Sequence, residues 1–168
     1  MSGAVRIRAA HPGDAAALAA IYRPYVLDTV ATFETEPPDA AAMTMRMLAA
    51  PRMPWLVTES GERVLGYAYA SRHRDRTAYR WSADVSIYVA MEERGRGIGR
   101  ALYAELIPLV RGLGYVNLYA GITLPNDASV ALHAAVGFEL VGVYRFVGFK
   151  AGRWLDVGWY VALADEFP

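Results

Sequence analysis

Two spacings of apolar residues alternate along the chain. Val5-Arg6-Ile7-Arg8 repeats every second residue, as a strand does, and His11-Pro12-Gly13-Asp14 then makes a turn. Beyond it the spacing becomes three and four at Leu18, Ile21, Tyr22, Tyr25 and Val26, one face of a helix that runs to about Leu27 with Asp14 placed to cap it. Residues 29–38 include Phe33-Glu34-Thr35-Glu36-Pro37-Pro38, which suits no regular interior element, and Asp39 caps a second helix through Leu48. Residues 55–59, a Ser60-Gly61-Glu62 turn and residues 64–70 read as a β-hairpin. A polar, basic stretch over 71–80 leads to a strand over 82–90, with Asp84, Ser86 and Tyr88 on one face and Ala83, Val85, Ile87 and Val89 on the other. A helix from about Arg96 to Arg111 follows, with Leu102, Leu106, Leu109 and Val110 as its core stripe, a bend at Pro108 and a stop at Gly112 and Gly114. Residues 115–122 form a fifth strand, Leu124-Pro125-Asn126-Asp127 opens a helix over about 128–136, and 138–149 and 154–162 are antiparallel strands about an Ala151-Gly152 turn. The order β α α β β β α β α β β predicts an α/β (α+β) fold, a mixed sheet of about seven strands with helices on both faces.

Composition narrows the function classes. A chain of 168 residues that is 55% apolar suits one domain spanning 1–168. Seventeen basic and seventeen acidic side chains cancel, so no global field points to nucleic acid or a membrane surface. The absence of cysteine removes disulfides and thiolate nucleophiles, and three scattered histidines, His11, His73 and His133, argue against a metal site. No apolar run is long enough to span a bilayer, and a soluble cytoplasmic protein is the simplest expectation. Eleven tyrosines and four tryptophans exceed what packing requires and suit a pocket lining or a subunit contact.

The chemistry concentrates after the fourth strand, in Arg94-Gly95-Arg96-Gly97-Ile98-Gly99-Arg100. Three glycines let main chain approach a ligand, the first turn of a helix leaves N–H groups without partners, and the helix dipole adds positive potential there. The arginines add formal charge, so the loop suits a diphosphate. A Walker loop would end in Gly-Lys-Ser/Thr, whereas this one continues Gly99-Arg100-Ala101. A dinucleotide fingerprint would space its third glycine one residue later and lie near the start of a βαβ unit, with an acid about 20 positions on. The pattern Arg94-x-x-Gly97-x-Gly99 directly after a strand instead resembles the pyrophosphate signature of the GNAT superfamily of acyl-CoA-dependent N-acyltransferases.

The element order extends that resemblance over essentially the whole chain. Thr32-Phe33-Glu34-Thr35-Glu36-Pro37, Pro54-Trp55-Leu56-Val57, Ala78-Tyr79-Arg80-Trp81, residues 124–133 and residues 147–158 are similar to the phosphinothricin and methionine sulfoximine N-acetyltransferase group. The resemblance implies a mostly antiparallel sheet splayed between strands 4 and 5. It implies acetyl-CoA as co-substrate and no metal. The amides of residues 95–100 would hold the pyrophosphate, and Ile87, Tyr88 and Val89 the pantetheine arm. The Val89 N–H would polarise the acetyl carbonyl. Asn126, Ser129 and His133 would line the cofactor side of the next helix, although Asn126 also suits a helix cap and Ser129 a helix surface.

Transfer to an amine requires that the amine lose a proton. Asp84 is the candidate base: by the resemblance it stands where the related enzymes carry glutamate, its shorter side chain suggests a relay through water, and the alternative is a strand-edge acid paired with Arg74 or Arg80. His133 has either a structural role or the task of binding cofactor or returning a proton to the thiolate. Phe33, Glu34, Thr35 and Glu36, with Arg72, Arg74 and Arg76, flank the open end of the fourth strand. The arginines suit a substrate carboxylate or phosphinate, and Glu34 or Glu36 its ammonium. Tyr79, Arg80 and Trp81 are pocket or packing residues, and Trp154, Trp159 and Tyr160 either pack a homodimer or close the core. Ala151 stands where the group usually has histidine. The implied acceptor is the α-amine of a small amino acid such as phosphinothricin or methionine sulfoximine, with another amine, a protein N-terminus or a non-catalytic acyl-CoA-binding domain as alternatives.

Overall fold

The computed structural model describes residues 5–165. Seven strands run β1 (Val5–Ala9), β2 (Trp55–Ser60), β3 (Arg63–Arg72), β4 (Ser82–Val89), β5 (Asn117–Leu124), β6 (Glu139–Lys150) and β7 (Arg153–Leu163). The helices are α1 (Ala15–Asp28), α2 (Ala40–Ala49), α3 (Ile98–Gly112) and α4 (Asp127–Ala135). The strands order β1-β2-β3-β4-β5-β7-β6, antiparallel throughout except for the parallel pair β4–β5. The order of elements agrees with that read from hydrophobic spacing.

The alternation along β4 divides its side chains between two cores. Ala83 and Val85 meet Leu102, Leu106 and Val110 of α3 and Leu118 and Ala120 of β5. On the other side, α1 through Leu18, Tyr22 and Val26 and α2 through Met43 and Met47 pack on Val57 and Tyr67. Each helix therefore closes one face of the sheet, and the space between β4 and β5 is left for something else.

Several local expectations change. Leu109 is exposed rather than core. The buried stripe of α3 steps by four residues through Ile98, Leu102, Leu106 and Val110, and each step turns the face about 40°, carrying it away from Leu109 by the last turn. That helix begins at Ile98 rather than Arg96, because Gly97 holds a left-handed φ of 79° outside it. β5 starts two residues later than expected, at Asn117. Asp14 does not cap α1; it accepts two hydrogen bonds from the Arg8 guanidinium, both at 2.8 Å, and one from the His11 N–H. Asp39 does cap α2, accepting from the Ala42 N–H at 2.8 Å.

Residues 29–38 are irregular but fastened. Lys150 donates from its buried Nζ to the carbonyls of Val26 and Thr32, each at 2.8 Å, tying this loop to the end of β6. The Phe33 ring lies against Gly148, where a β-carbon would fall 2.3 Å from it. No helix among the described residues is long and apolar enough to cross a membrane.

Candidate active site

β4 and β5 pair only from Ser82↔Asn117 to Asp84↔Tyr119 and then part. Ala90 donates to the Leu65 carbonyl, so the alternate main-chain groups of β4, at Val85, Ile87 and Val89, face away from β3 into the gap. The gap opens a cleft of about 690 Å³ lined by Val85–Val89 of β4, Ala120–Thr123 of β5, the glycine loop and α4.

At the loop, a single 3₁₀ turn (Met91–Glu93) is followed by Gly95 and Gly97, both with left-handed φ, at 74° and 79°. A β-carbon on either would meet nothing within 4 Å, so both glycines border open space beside the first turn of α3. The N–H groups of Ile98, Gly99 and Arg100 have no partners within that helix. This concave, donor-rich surface fits a diphosphate.

Most of the residues expected to hold cofactor border this one cleft: Ile87, Tyr88, Val89, Arg94, Gly95, Gly97, Ile98, Gly99, Arg100, Asn126, Ser129 and His133. Arg96 does not. Its guanidinium pairs with buried Glu93, which also binds Arg63, and Arg96 thereby helps hold the loop rather than face the cleft. Asn126 does cap α4, accepting from the Ser129 N–H at 3.2 Å, and still borders the cleft.

Two tyrosines join the site that the hydrophobic pattern alone had given to the core or left unremarked. Tyr25 of α1 donates to the Val89 carbonyl at 2.6 Å, while its oxygen takes the Val89 N–H at 3.3 Å and Arg94 Nε at 3.4 Å. The Val89 N–H thus faces the gap but is already engaged, and the Ile87 N–H is the next group facing the same way. Tyr103 of α3 hydrogen-bonds His133 Nε2 at 2.9 Å, and His133 Nδ1 lies 2.7 Å from the Ser129 carbonyl. Burial pushes the His133 imidazole below its usual range, opposed by the Ser129 carbonyl. The neutral ring donates from Nδ1 and accepts from Tyr103 at Nε2, so the histidine is fixed rather than free in the cleft.

The far end of the gap is different in kind. Asp84 accepts from neither Arg74 nor Arg80; its Oδ1 lies 2.6 Å from His73 Nδ1. Burial pushes the Asp84 carboxyl up, while the His73 hydrogen bond and the nearby Arg74 charge pull it back. His73 stacks on Tyr119 at 4.5 Å and meets the rings of Tyr79 and Trp159 edge-on at 5.8 and 5.9 Å. Arg74 lies 5.8 Å from the Trp159 ring centre and donates to the His73 carbonyl at 2.9 Å. Tyr160 is in the core and Trp154 on the surface, so of the three C-terminal aromatics only Trp159 belongs to this corner.

Other expected acceptor residues are committed elsewhere. Both oxygens of Glu34 are held by Arg46 at 2.8 Å, with Tyr22 donating to one of them. Burial disfavours its charge, but Arg46 and Tyr22 outweigh that and hold the carboxyl below the usual range, leaving it a clamp between the loop and α2. Arg72 pairs with Ala83 and so lies on the face opposite Asp84. Thr35, Glu36 and Arg76 are exposed, and Phe33 is partly so over Gly148. Among the described residues no group of three or more His, Cys, Asp or Glu side chains converges to hold a metal ion.

Known proteins with this arrangement agree. A family model for the acetyltransferase (GNAT) domain matches residues 7–159. The chain is 40% identical over 156 residues to a phosphinothricin N-acetyltransferase of Alcaligenes faecalis, covering 91% of this chain and 79% of that one. It is 35% identical to the L-methionine sulfoximine/L-methionine sulfone acetyltransferase of Salmonella typhimurium, covering 95% of each. A GNAT superfamily phosphinothricin acetyltransferase from Sinorhizobium meliloti, solved with acetyl-CoA, superposes with a TM-score of 0.90 at 41% identity, over 96% of this chain and 89% of that one. The splayed sheet, the glycine loop at its mouth and a match over nearly the whole chain place this protein in the GNAT family, as an N-acetyltransferase of the phosphinothricin and methionine sulfoximine group.

Proposed function

We propose that the protein transfers the acetyl group of acetyl-CoA to the α-amine of a small amino acid or analogue such as methionine sulfoximine or phosphinothricin, by direct attack within a ternary complex. The observation that carries this reading is the position of Asp84: it is the last residue of β4 that pairs with β5, between a main-chain-lined cleft on one side and an aromatic corner on the other. The relatives' names support the acceptor class, and the structure solved with acetyl-CoA supports the donor.

The donor side acts by shape and dipoles. Amides of residues 95–100 and the side chains of Arg94 and Arg100 hold the pyrophosphate, and the main-chain groups of Ile87, beyond the last pair with β5, take the arm. Bound acetyl-CoA supplies the thioester carbonyl. At the acceptor corner, Arg74 is the side chain placed to meet a carboxylate or phosphinate, and Tyr79 and Trp159 give the aliphatic part of the substrate apolar walls. The Asp84 end of the gap takes the ammonium proton before attack. Purified protein with acetyl-CoA and a panel of amines tests this: thiol release is highest with methionine sulfoximine or phosphinothricin, and a higher rate with a peptide N-terminus would move the protein to another acceptor class.

We also propose a homodimer built on the last hairpin. Leu140, Tyr144, Phe146, Phe149 and Trp154 are all more than half exposed on the edge strand β6 and its neighbour. A bulge between Tyr144 and Gly148 turns Phe146 outward. So much aromatic surface on an unpaired edge suits a second copy. Light scattering should give twice the chain mass, falling to one chain mass in Trp154→Glu; a monomeric wild type at micromolar concentration would contradict it.

A further inference from the structure

The base of an amine transfer has to be a group with a free basic atom at the reacting end of the gap. Asp84 meets that description only through Oδ2, because its Oδ1 is bound to His73 at 2.6 Å. Its carboxyl is three-quarters buried, and its short side chain ends against the His73 ring. His73 meets it at Nε2. Its Nδ1 is occupied by Asp84, its carbonyl by Arg74 and its N–H by the Ser82 carbonyl at 3.4 Å, so both its backbone and one ring nitrogen are fixed. Nε2, on the far edge of the ring, has no hydrogen-bond partner among the described residues. The side chain remains 13% exposed, enough to admit a small group to that atom and too little to leave it in bulk water.

We propose that His73, with Asp84 as its positioning residue, is the catalytic base for the acceptor amine. The inference rests on the acetyl-transfer reading above and assigns its proton-accepting atom. Asp84 holds the Nδ1–H and thereby leaves the lone pair on Nε2, the ring nitrogen without a partner among the described residues. Tyr119 and Asp84 are the last residues that pair β5 with β4, so a ring stacked on one and bonded to the other lies across the point where the gap begins. The imidazole extends the reach of a short carboxylate by the length of a ring.

The step balances without a further reactant. Nε2 takes one proton from the substrate ammonium, and the neutral nitrogen forms a bond to the acetyl carbon. The C–S bond then breaks with its electron pair on sulfur; the remaining excess proton of the nitrogen ends on the CoA thiol, and the imidazolium returns its proton to solvent. The charged and titratable groups facing the ring are Asp84 from β4, Arg74 beside it, Tyr79 from the 3₁₀ turn 77–79 and Tyr119 from β5.

Turnover against pH in wild type, His73→Asn and Asp84→Asn tests the assignment, with acetyl-CoA binding measured by calorimetry to confirm that each variant is folded. Loss of a positioned base lowers kcat by about 100-fold or more in His73→Asn, with the KM for acetyl-CoA unchanged and the acidic limb of the profile replaced by one that tracks the free amine. Added imidazole restores part of the rate to His73→Gly. Proton NMR of the wild type shows a far-downfield imidazole N–H, lost in Asp84→Asn. A His73→Asn rate within about threefold of wild type, a fraction of the loss expected for a general base, overturns the proposal and returns the base to Asp84. Persistence of the downfield proton in Asp84→Asn overturns the pairing. A wild type that acetylates no amine sinks the acceptor reading as well, whereas an active wild type with an indifferent His73→Asn sinks only this one.

Discussion

The two ends of the gap between β4 and β5 are built by different means. The donor end is largely continuous chain: a strand, a glycine turn and the first turn of α3, whose ligating groups are main-chain N–H and C=O. The acceptor end is made of side chains, His73, Asp84, Tyr119, Trp159 and Tyr79, from segments up to 86 positions apart in a chain of 168. A site formed by main chain depends on glycines and dihedral angles; one formed by side chains can change specificity by single substitutions while the fold stays. The first therefore suits the invariant donor, and the second the variable acceptor.

The largest effect that would sharpen this division, after loss of His73, is at Gly97. An alanine there must hold a φ of 79°, at a strain of about 1–2 kcal/mol, or turn its neighbours' amides away. Acetyl-CoA affinity in Gly97→Ala falls about tenfold by calorimetry, the equivalent of about 1.4 kcal/mol, with the amine KM unchanged. A Gly97→Ala variant that loses amine affinity instead would break the comparison.

A smaller effect is expected at Gly148, transmitted through the loop that its neighbour Phe33 belongs to. A β-carbon would lie 2.3 Å from the Phe33 ring, so the ring and the loop carrying it must shift. Gly148→Ala weakens acetyl-CoA binding about threefold, within the few-kcal/mol reach of such overpacking, because the same loop supplies Thr29, Val30 and Ala31 to the cleft, and it leaves the amine KM as it was. A rise in the amine KM instead would mean that residues 29–38 serve the acceptor end and would break the comparison.

The smallest kinetic effect belongs to Glu34. Because both oxygens are spent on Arg46, Glu34→Gln lowers the melting temperature, at a cost of about 1 kcal/mol, and leaves the amine KM alone. A tenfold rise in amine KM would restore it as an ammonium ligand.

The same division explains how much could be read from the residues alone. Strands and helices followed from spacings of two and of three to four, since each element buries one face. The donor loop was legible for the same local reason: Gly95, Gly97 and Gly99 and the arginines lie side by side, and the excluded alternatives differ at named positions. The splay followed only from the family resemblance, and the acceptor corner was not legible. His73 sat in a run of charges that looks like solvated loop, and only the β3–β4 register brings it beside Asp84. Ser71 pairs with Asp84, and His73, two residues on, shares its face; that register, carried one pair past β3, was the available signal. Tyr25 was counted in a helical stripe, correctly, yet its hydroxyl reaches past the core to Val89. Glu34 and Arg72 erred the opposite way, because charge alone does not say whether a partner such as Arg46 is waiting or which face of a strand a side chain takes.

The central claim, that the cleft delivers an acetyl group to an amino-acid amine held at the His73–Asp84 end, is tested most directly by following carbon-13-labelled acetyl-CoA with methionine sulfoximine by NMR. The label should appear on the α-nitrogen of the amino acid at the rate at which free thiol appears, one for one. Thiol release without labelled product, or tight binding of acetyl-CoA with no transfer to this or any other amino acid, would contradict it.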